Sequence, residues 1–148
     1  MKKALFALAL LLALTSCRAD RAQDSPVSGY DVVWTSQSVS SDGSMPCGGG
    51  DTGLNVWVEN GELLFYIARS GMFDENNTLL KQGRVRVKFP SPLGQEGFRQ
   101  RLSLADGSVS VEALSDGNPV QMTLWVEVFK SVVHLSVDCG KPCAMEVA

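Results

Sequence analysis

Two apolar runs joined by Asn60-Gly61 are the feature that most constrains how this 148-residue chain folds. Residues 54–59 and 63–68 are rich in branched and aromatic side chains, which favour β-strands. Asn-Gly between such runs is the strongest short-range signal of a β-hairpin, because both central residues of its tight turn need a positive φ. We therefore predict an antiparallel hairpin over this stretch.

Further runs with the period of a β-strand follow this hairpin. Residues 84–89 (RVRVKF) alternate strictly, so Val85, Val87 and Phe89 are predicted to face a core. Strands are also predicted at residues 30–34, 98–104, 108–113, 120–128, 132–138 and 144–148. No segment of this part of the chain has a helical period. Strands spaced in this way predict an all-β fold, an antiparallel β-sandwich.

One long segment between the predicted strands has no strand period. Residues 69–82 (RSGMFDENNTLLKQ) are predicted to form a functional loop, because links of this length usually carry a function. Asp74 and Glu75 are adjacent carboxylates there, but a glycosidase needs two carboxyl groups on opposite sides of a sugar. A solvated acidic loop is therefore the simpler interpretation. Candidates either to stack on sugar rings or to fill the core are Trp34, Trp57, Tyr66, Phe73 and Trp125.

The run SMPCGGGDTGLNVWVE, residues 44–59, concentrates glycines around Asp51. Glycine permits left-handed backbone and close approach of other atoms, so the run predicts either a tight turn or a site. Asp51 begins a D-T-G triplet like that of aspartic proteases, but glycines precede it where those enzymes have apolar strand residues. A phosphate loop would need a lysine and a following helix. We interpret the run as the glycine-dependent start of the first hairpin, with Gly48, Gly50 and Asp51 as candidate site residues.

The N-terminus is predicted to be a bacterial lipoprotein signal. Lys2 and Lys3 precede an apolar run at residues 4–14, which is too short to span a bilayer. Leu14-Thr15-Ser16-Cys17 then matches the lipobox, whose cysteine receives the lipid. The predicted organisation is a helical signal peptide at residues 1–16, a flexible tether at residues 17–29 and a β-sandwich domain at residues 30–148.

Lipidation of Cys17 predicts a protein held at a membrane by acyl chains. Arg18 and Ala19 carry no inner-membrane aspartate signal, so the expected location is the cell envelope, at the outer membrane or on its periplasmic side. The formal charge is −3, and loss of Lys2 and Lys3 with the signal makes the domain more acidic. Nucleic acid is therefore excluded as an expected partner.

Three cysteines follow Cys17, so at most one intramolecular bridge is possible among them. Cys139 and Cys143 have C-x-x-x-C spacing, unlike the C-x-x-C of thioredoxin-like proteins, and a Gly-Lys-Pro turn would bring them opposite each other on adjacent strands. A structural disulfide is favoured over free thiols. Cys47 with these two and His134 could make a zinc site, but an ordinary strand histidine is favoured. We predict neither metal nor cofactor.

The order of motifs along the chain resembles a known family. The stretches that carry the likeness are residues 30–89, RLSLADGSVSVEA at 101–113 and LWVEVFKSVVHLSV at 124–137. They resemble the N-terminal β-sandwich domain of glycoside hydrolases like family 95, in an uncharacterised bacterial form. The departures are Cys47 and Gly49, which replace a usual Leu and Asn, and Phe73, which replaces a common Trp.

The resemblance implies a role beside a catalytic domain. In such enzymes the sandwich is part of a supersandwich, and an (α/α)6 barrel after it supplies the catalytic carboxylates. We expect a truncated, inactive accessory domain of a carbohydrate-active lipoprotein, whose partners are glycans or that helical barrel. The alternatives are an active enzyme whose remaining sequence lies outside this chain and a stand-alone glycan-binding lipoprotein. The residues implied to face a barrel or a glycan are Gly48, Gly50, Asp51, Phe73, Asp74 and Glu75.

Overall fold

The computed structural model describes residues 26–148 and confirms the predicted antiparallel β-sandwich. Two short 3₁₀ turns, Ser28–Tyr30 and Ser41–Gly43, accompany the strands, and no α-helix occurs in these residues. The strands in chain order are Val32–Trp34 (β1), Met45–Gly49 (β2), Thr52–Glu59 (β3), Glu62–Phe73 (β4), Leu79–Lys88 (β5), Arg99–Ser103 (β6), Ser108–Ser115 (β7), Asn118–Val126 (β8), Val133–Cys139 (β9) and Glu146–Val147 (β10).

The strands form two five-stranded sheets. Sheet A has the order β1-β6-β7-β8-β9, and sheet B has the order β10-β5-β4-β3-β2. Every neighbouring pair is antiparallel. The chain starts in sheet A, builds β2 to β5 of sheet B, returns for β6 to β9 and ends beside β5. Since both sheets receive strands from early and late parts of the chain, neither forms from one continuous segment.

The core lies between the sheets and follows the alternation of each strand. Met122 and Leu124 of β8 are fully buried, whereas Gln121 and Trp125 on the same strand point outward. One polar side chain links the sheets across the core: Gln100 of β6 is 1% exposed and donates from Nε2 to the carbonyl oxygen of Val56 in β3, 3.1 Å away. That bond satisfies the buried amide nitrogen and ties sheet A to sheet B.

The hairpin predicted from Asn60-Gly61 is confirmed. Glu59 pairs with Glu62, and the two residues between them have φ values of 52° and 78°. These are the positive angles that a type I′ turn requires. The predicted strand RVRVKF is confirmed as well, because β5 runs to Lys88, Val87 within it is buried, and Phe89 directly after it is also buried.

The functional loop predicted at residues 69–82 is wrong. β4 continues to Phe73 and β5 starts at Leu79, so most of this segment is a two-stranded ribbon that extends β4 and β5. We call residues 69–83 the ribbon. Its strands carry no period-2 pattern because nearly all its residues are exposed on both faces, so no buried face selects apolar residues at alternate positions.

Two expectations about the C-terminal half are also corrected. β8 ends at Val126, so Val128 does not continue its buried face and is 59% exposed. Cys143 does not lie on a strand beside β9, because the segment after Cys139 crosses from sheet A to sheet B and joins it as β10. The short strand β10 pairs with β5 at Lys88 and Val87.

The predictions about the N-terminus lie outside the described residues. These are the signal peptide at residues 1–16, the lipidated Cys17 and most of the tether at residues 17–29, and they stay predictions. The described end of the tether contains the start of the 3₁₀ turn Ser28–Tyr30. Across residues 26–148, none of the helices is both long enough and apolar enough to cross a membrane.

Candidate functional site

The glycine run forms a complete hairpin of its own. Met45–Gly49 is strand β2 and pairs with β3 as far as Gly49 opposite Thr52, so only Gly50 and Asp51 make the turn. Gly50 has a φ of 61°, which is the positive value that the first central residue of a type II′ turn needs. The glycine run was predicted to be only the start of the Asn60-Gly61 hairpin. It instead forms a separate hairpin of β2 and β3, and β3 then continues into the Asn60-Gly61 turn.

Gly49 and Gly50 lie against the backbone of β8 and of the β8–β9 loop. A Cβ atom on Gly49 would come within 2.6 Å of the carbonyl oxygen of Val126, and one on Gly50 within 2.6 Å of that of Val128. Real Cβ contacts are not this short, and the atoms in the way are backbone rather than the tip of a side chain. The two sheets approach so closely at this end of the sandwich that only glycine fits.

Asp51 ties three elements together at the same place. Its Oδ2 accepts a hydrogen bond from Nε of Arg69, 2.7 Å away, at the base of the ribbon. Its Oδ1 accepts one from the hydroxyl of Ser131, 2.6 Å away, in the β8–β9 loop. Its backbone carbonyl accepts from the amide of Ser70 at 2.8 Å. A turn of sheet B, the ribbon and a loop of sheet A therefore meet at one carboxylate.

These contacts determine what Asp51 does chemically. The hydrogen bond from Ser131, followed by that from Arg69, lowers the pKa of Asp51 below its ordinary value. The carboxyl group is thus ionised at neutral pH with both oxygens engaged. Ser131 itself has a φ of 48°, a left-handed conformation that is unfavourable for serine, and its bond to Asp51 helps to hold it. This geometry indicates a structural carboxylate rather than one that shares a proton with a second aspartate.

Large apolar side chains are exposed on the ribbon and the β8–β9 loop, the two elements that bond to this carboxylate. On the ribbon, Phe73 is 53% exposed and Leu79 is 54% exposed, and in the β8–β9 loop Phe129 is 93% exposed. We call this surface the glycine end and define it as the Gly50-Asp51 turn, the ribbon and the β8–β9 loop at residues 127–132. Other exposed apolar residues of the glycine end are Met72, Leu80, Val128 and Val132.

The two adjacent carboxylates predicted in the loop have separate roles at the tip of the ribbon. Asp74 accepts hydrogen bonds at Oδ1 from the amides of Thr78 (2.8 Å) and Asn76 (2.9 Å), and the Thr78 bond is the main cause of its lowered pKa. Asp74 therefore closes the turn that joins β4 to β5. Glu75 is exposed within that turn. The two do not flank a common space in the way that glycoside cleavage needs.

The six candidate residues fall into two groups. Gly48, Gly50 and Asp51 line an open depression of about 510 Å³, together with the base of the ribbon and Leu79. Phe73, Asp74 and Glu75 lie at the ribbon tip and do not line it. Three residues of the glycine end were not predicted from the sequence: Arg69 and Ser131, which bond to Asp51, and the exposed Phe129. Only Phe129 could have been found from the sequence, because a bulky aromatic residue in a link between two predicted strands is unusual.

The cysteines lie away from the glycine end or inside the fold. Cys139 and Cys143 form a disulfide where the chain leaves sheet A, and Cys47 is a free thiol packed against the core. Burial raises the pKa of Cys47 to about 11, so its thiol is protonated and unreactive at neutral pH. Within residues 26–148, no group of three or more His, Cys, Asp or Glu side chains is arranged to hold a metal ion.

Comparison with known proteins places most of the chain in one family. Residues 33–148 match a family model described as a domain of unknown function, DUF5703, in its N-terminal part. A comparison with curated proteins finds no match. The matched residues cover both sheets and the whole glycine end.

Proposed function

We propose, from the premise that this chain belongs to the DUF5703 N-terminal domain family, that it is a non-catalytic accessory domain of a carbohydrate-active lipoprotein. The glycine end docks a helical catalytic domain, and Cys17 anchors the protein at the cell envelope. The observation that carries the docking role is the exposed apolar surface of the glycine end. The likeness to N-terminal sandwiches of glycoside hydrolases like family 95 supports the choice of partner.

The state of the carboxyl groups supports a non-catalytic role. A glycosidase needs a general acid whose pKa is raised so that it carries a proton at the working pH. Hydrogen bonds that they accept hold the pKa values of Asp31, Asp51 and Asp74 below the ordinary value, which favours the ionised form. These groups stabilise turns and strand contacts. The proposal therefore assigns cleavage to the partner domain.

The form of the glycine end supports docking. Exposed apolar patches bounded by polar residues commonly mark interaction surfaces, whereas single exposed apolar residues do not. Here Phe73 and Leu79 pair across the ribbon, and Phe129 extends from the loop at the same end of the sandwich. Arg69 and Asp51 provide a fixed polar base beside them. A partner that covers this surface would remove several large side chains from water at once.

The proposal is tested by reading the DNA beyond the codon for Ala148 and expressing any helix-rich product encoded there as a separate protein. Its affinity for the full chain is measured by isothermal titration calorimetry. Phe73→Ser and Leu79→Ser are each expected to weaken binding at least tenfold. Val39→Ser is the matched control, because Val39 is 94% exposed in a loop bonded to the opposite end of β3. The proposal fails if no helix-rich product is encoded, or if the ribbon variants bind like the wild type.

A further inference from the structure

We propose that the outward face of sheet A is a binding face for an uncharged oligosaccharide, with Trp125 as the ring on which a sugar stacks. The residues that would contact the sugar are separate from the apolar residues that dock a partner at the glycine end. Sheet A would give the proposed accessory domain a ligand of its own, bound by side chains that take no part in docking. Sugar binding can therefore be measured even if docking at the glycine end is lost, and docking can be measured if sugar binding is lost.

Trp125 lies on β8, which runs inside sheet A between β7 and β9. Its neighbours along the strand, Leu124 and Val126, are buried, so the indole points away from the core and is 37% exposed. On β9 the residue opposite is His134, and the two rings stack with centroids 4.9 Å apart and planes 4° from parallel. Nothing in the core explains this pair, since both rings are on the outer surface.

The pair is held in place from one side and open on the other. Nε2 of His134 lies 3.5 Å from Oε2 of Glu127, and Oε1 of the same carboxylate lies 3.5 Å from Nζ of Lys130. These contacts support the imidazole against which the indole rests. On β7, continuing the strand register by one residue places Ser108 beside Trp125. A serine is too small to cover an indole, so the ring face directed toward β7 remains available.

The outer surface of sheet A next to Trp125 is rich in hydroxyl groups. Ser110, Thr123 and Ser136 lie side by side across three strands, because Thr123 pairs with Ser110 on one side and with Ser136 on the other. The next outward-facing row along the strands has carboxylate and amide groups instead of hydroxyls. It contains Glu112, Gln121 and Asp138, in the same pairing, beside a cleft of about 520 Å³.

These rows have the chemistry that an uncharged sugar chain needs. The face of an aromatic ring is electron-rich and attracts the C–H groups of a sugar ring, while hydroxyl, amide and carboxylate groups bond the sugar hydroxyls. From Trp125 to Gln121 is four residues, about 14 Å along the strand, which is long enough for a short oligosaccharide. Oε1 of Glu112 in the last row lies 3.9 Å from Nη1 of Arg99 on β6, so this part of the face carries charges of both signs and does not favour a charged polymer.

The test is affinity electrophoresis of the full chain in native gels that contain one neutral polysaccharide each: xyloglucan, mixed-linkage β-glucan, galactomannan or arabinoxylan. Acidic pectin serves as a fifth gel. We expect retardation in at least one neutral gel, and a dissociation constant at least tenfold weaker for Trp125→Ala. His134→Ala should weaken binding less, because it removes only the support of the indole. Phe129→Ala is the control, because it removes another exposed aromatic ring, one that belongs to the glycine end, and it should bind like the wild type.

Three results would overturn the inference: no retardation in any neutral gel, retardation in pectin alone, or unchanged binding by Trp125→Ala. Circular dichroism and urea unfolding check that the variant is folded. If Trp125→Ala does not fold, Ser136→Arg replaces it, because Ser136 is an exposed edge-strand residue whose enlargement blocks the hydroxyl row. Unchanged binding by Ser136→Arg would also refute the site. The ribbon variants Phe73→Ser and Leu79→Ser should keep sugar binding, which separates this inference from the docking proposal.

Discussion

Replacing Gly49 with alanine probes the closest approach between the two sheets. The added Cβ would lie 2.6 Å from the carbonyl oxygen of Val126, 3.2 Å from its carbonyl carbon and 3.3 Å from the Cα atom of Val128. All three atoms belong to the backbone, so no side chain can turn aside to make room. The sheets must separate locally, and the contacts of Asp51 with Ser131 at the same end should loosen with them.

The expected cost of Gly49→Ala is about 1–3 kcal/mol of unfolding free energy, the range for overpacked sites. With a urea m-value of about 2 kcal/mol per molar, a loss of 2 kcal/mol lowers the midpoint by roughly 1 M. Gly53→Ala is the matched control on the facing strand, because its Cβ would meet nothing within 4 Å. Its midpoint should change by less than about 0.5 M, equivalent to less than about 1 kcal/mol.

Gly50→Ala extends the comparison with Gly49→Ala. Its Cβ would also lie 2.6 Å from a carbonyl oxygen, and alanine would in addition have to adopt the left-handed φ of 61° that Gly50 has. The cost should exceed that of Gly49→Ala by about 1 kcal/mol. The assay is equilibrium unfolding in urea, followed by circular dichroism, with m-values checked for constancy. Equal midpoints for Gly49→Ala and Gly53→Ala would refute the reasoning, because they would mean that the sheets do not meet through backbone at this turn.

Two further predictions concern the carboxylate and the disulfide. The folded pKa of Asp51 is lowered, so its contribution to stability is complete above the unfolded value of about 3.9 and is lost as the pH falls through the folded value. Unfolding midpoints measured from pH 7 to pH 2 should therefore fall less steeply for Asp51→Asn than for the wild type, and parallel curves would contradict this. Reduction of Cys139–Cys143, which closes a short loop, should cost about 2 kcal/mol, and an unchanged urea midpoint after reduction would contradict that.

The sequence predicted the fold well wherever a strand has one buried face. Val87 and Phe89 alternate with charged residues because β5 is covered by the core on one side there, and the pattern records that environment. Asn60 and Gly61 predicted their turn because the local backbone angles demand those residue types. In both cases a few neighbouring residues determine the local structure. It can therefore be predicted without knowing which other elements pack against the strand or turn.

The ribbon and the glycine end were not predictable in this way. On the ribbon, exposure of both faces erases the alternation, so Met72 and Phe73 looked like loop residues although they extend β4. At the glycine end, the reason for Gly49 is the backbone at Val126, which is remote in sequence. A run of glycines indicates that something comes close, but only the packing of the two sheets identifies the neighbour.

That neighbour changes how the glycine run is understood. The resemblance to longer enzymes suggested that the run faces a separate domain, but Gly49 and Gly50 lie against this chain's own β8 and β8–β9 loop. Their role is to let Asp51 reach Ser131 in the β8–β9 loop of sheet A while it holds Arg69 on β4 of sheet B. If a partner docks at the glycine end, it therefore contacts the apolar ribbon and Phe129 rather than the glycines. Substitutions at Gly49 should then reduce docking only to the extent that they destabilise the fold, whereas Phe73→Ser should reduce docking while leaving stability unchanged.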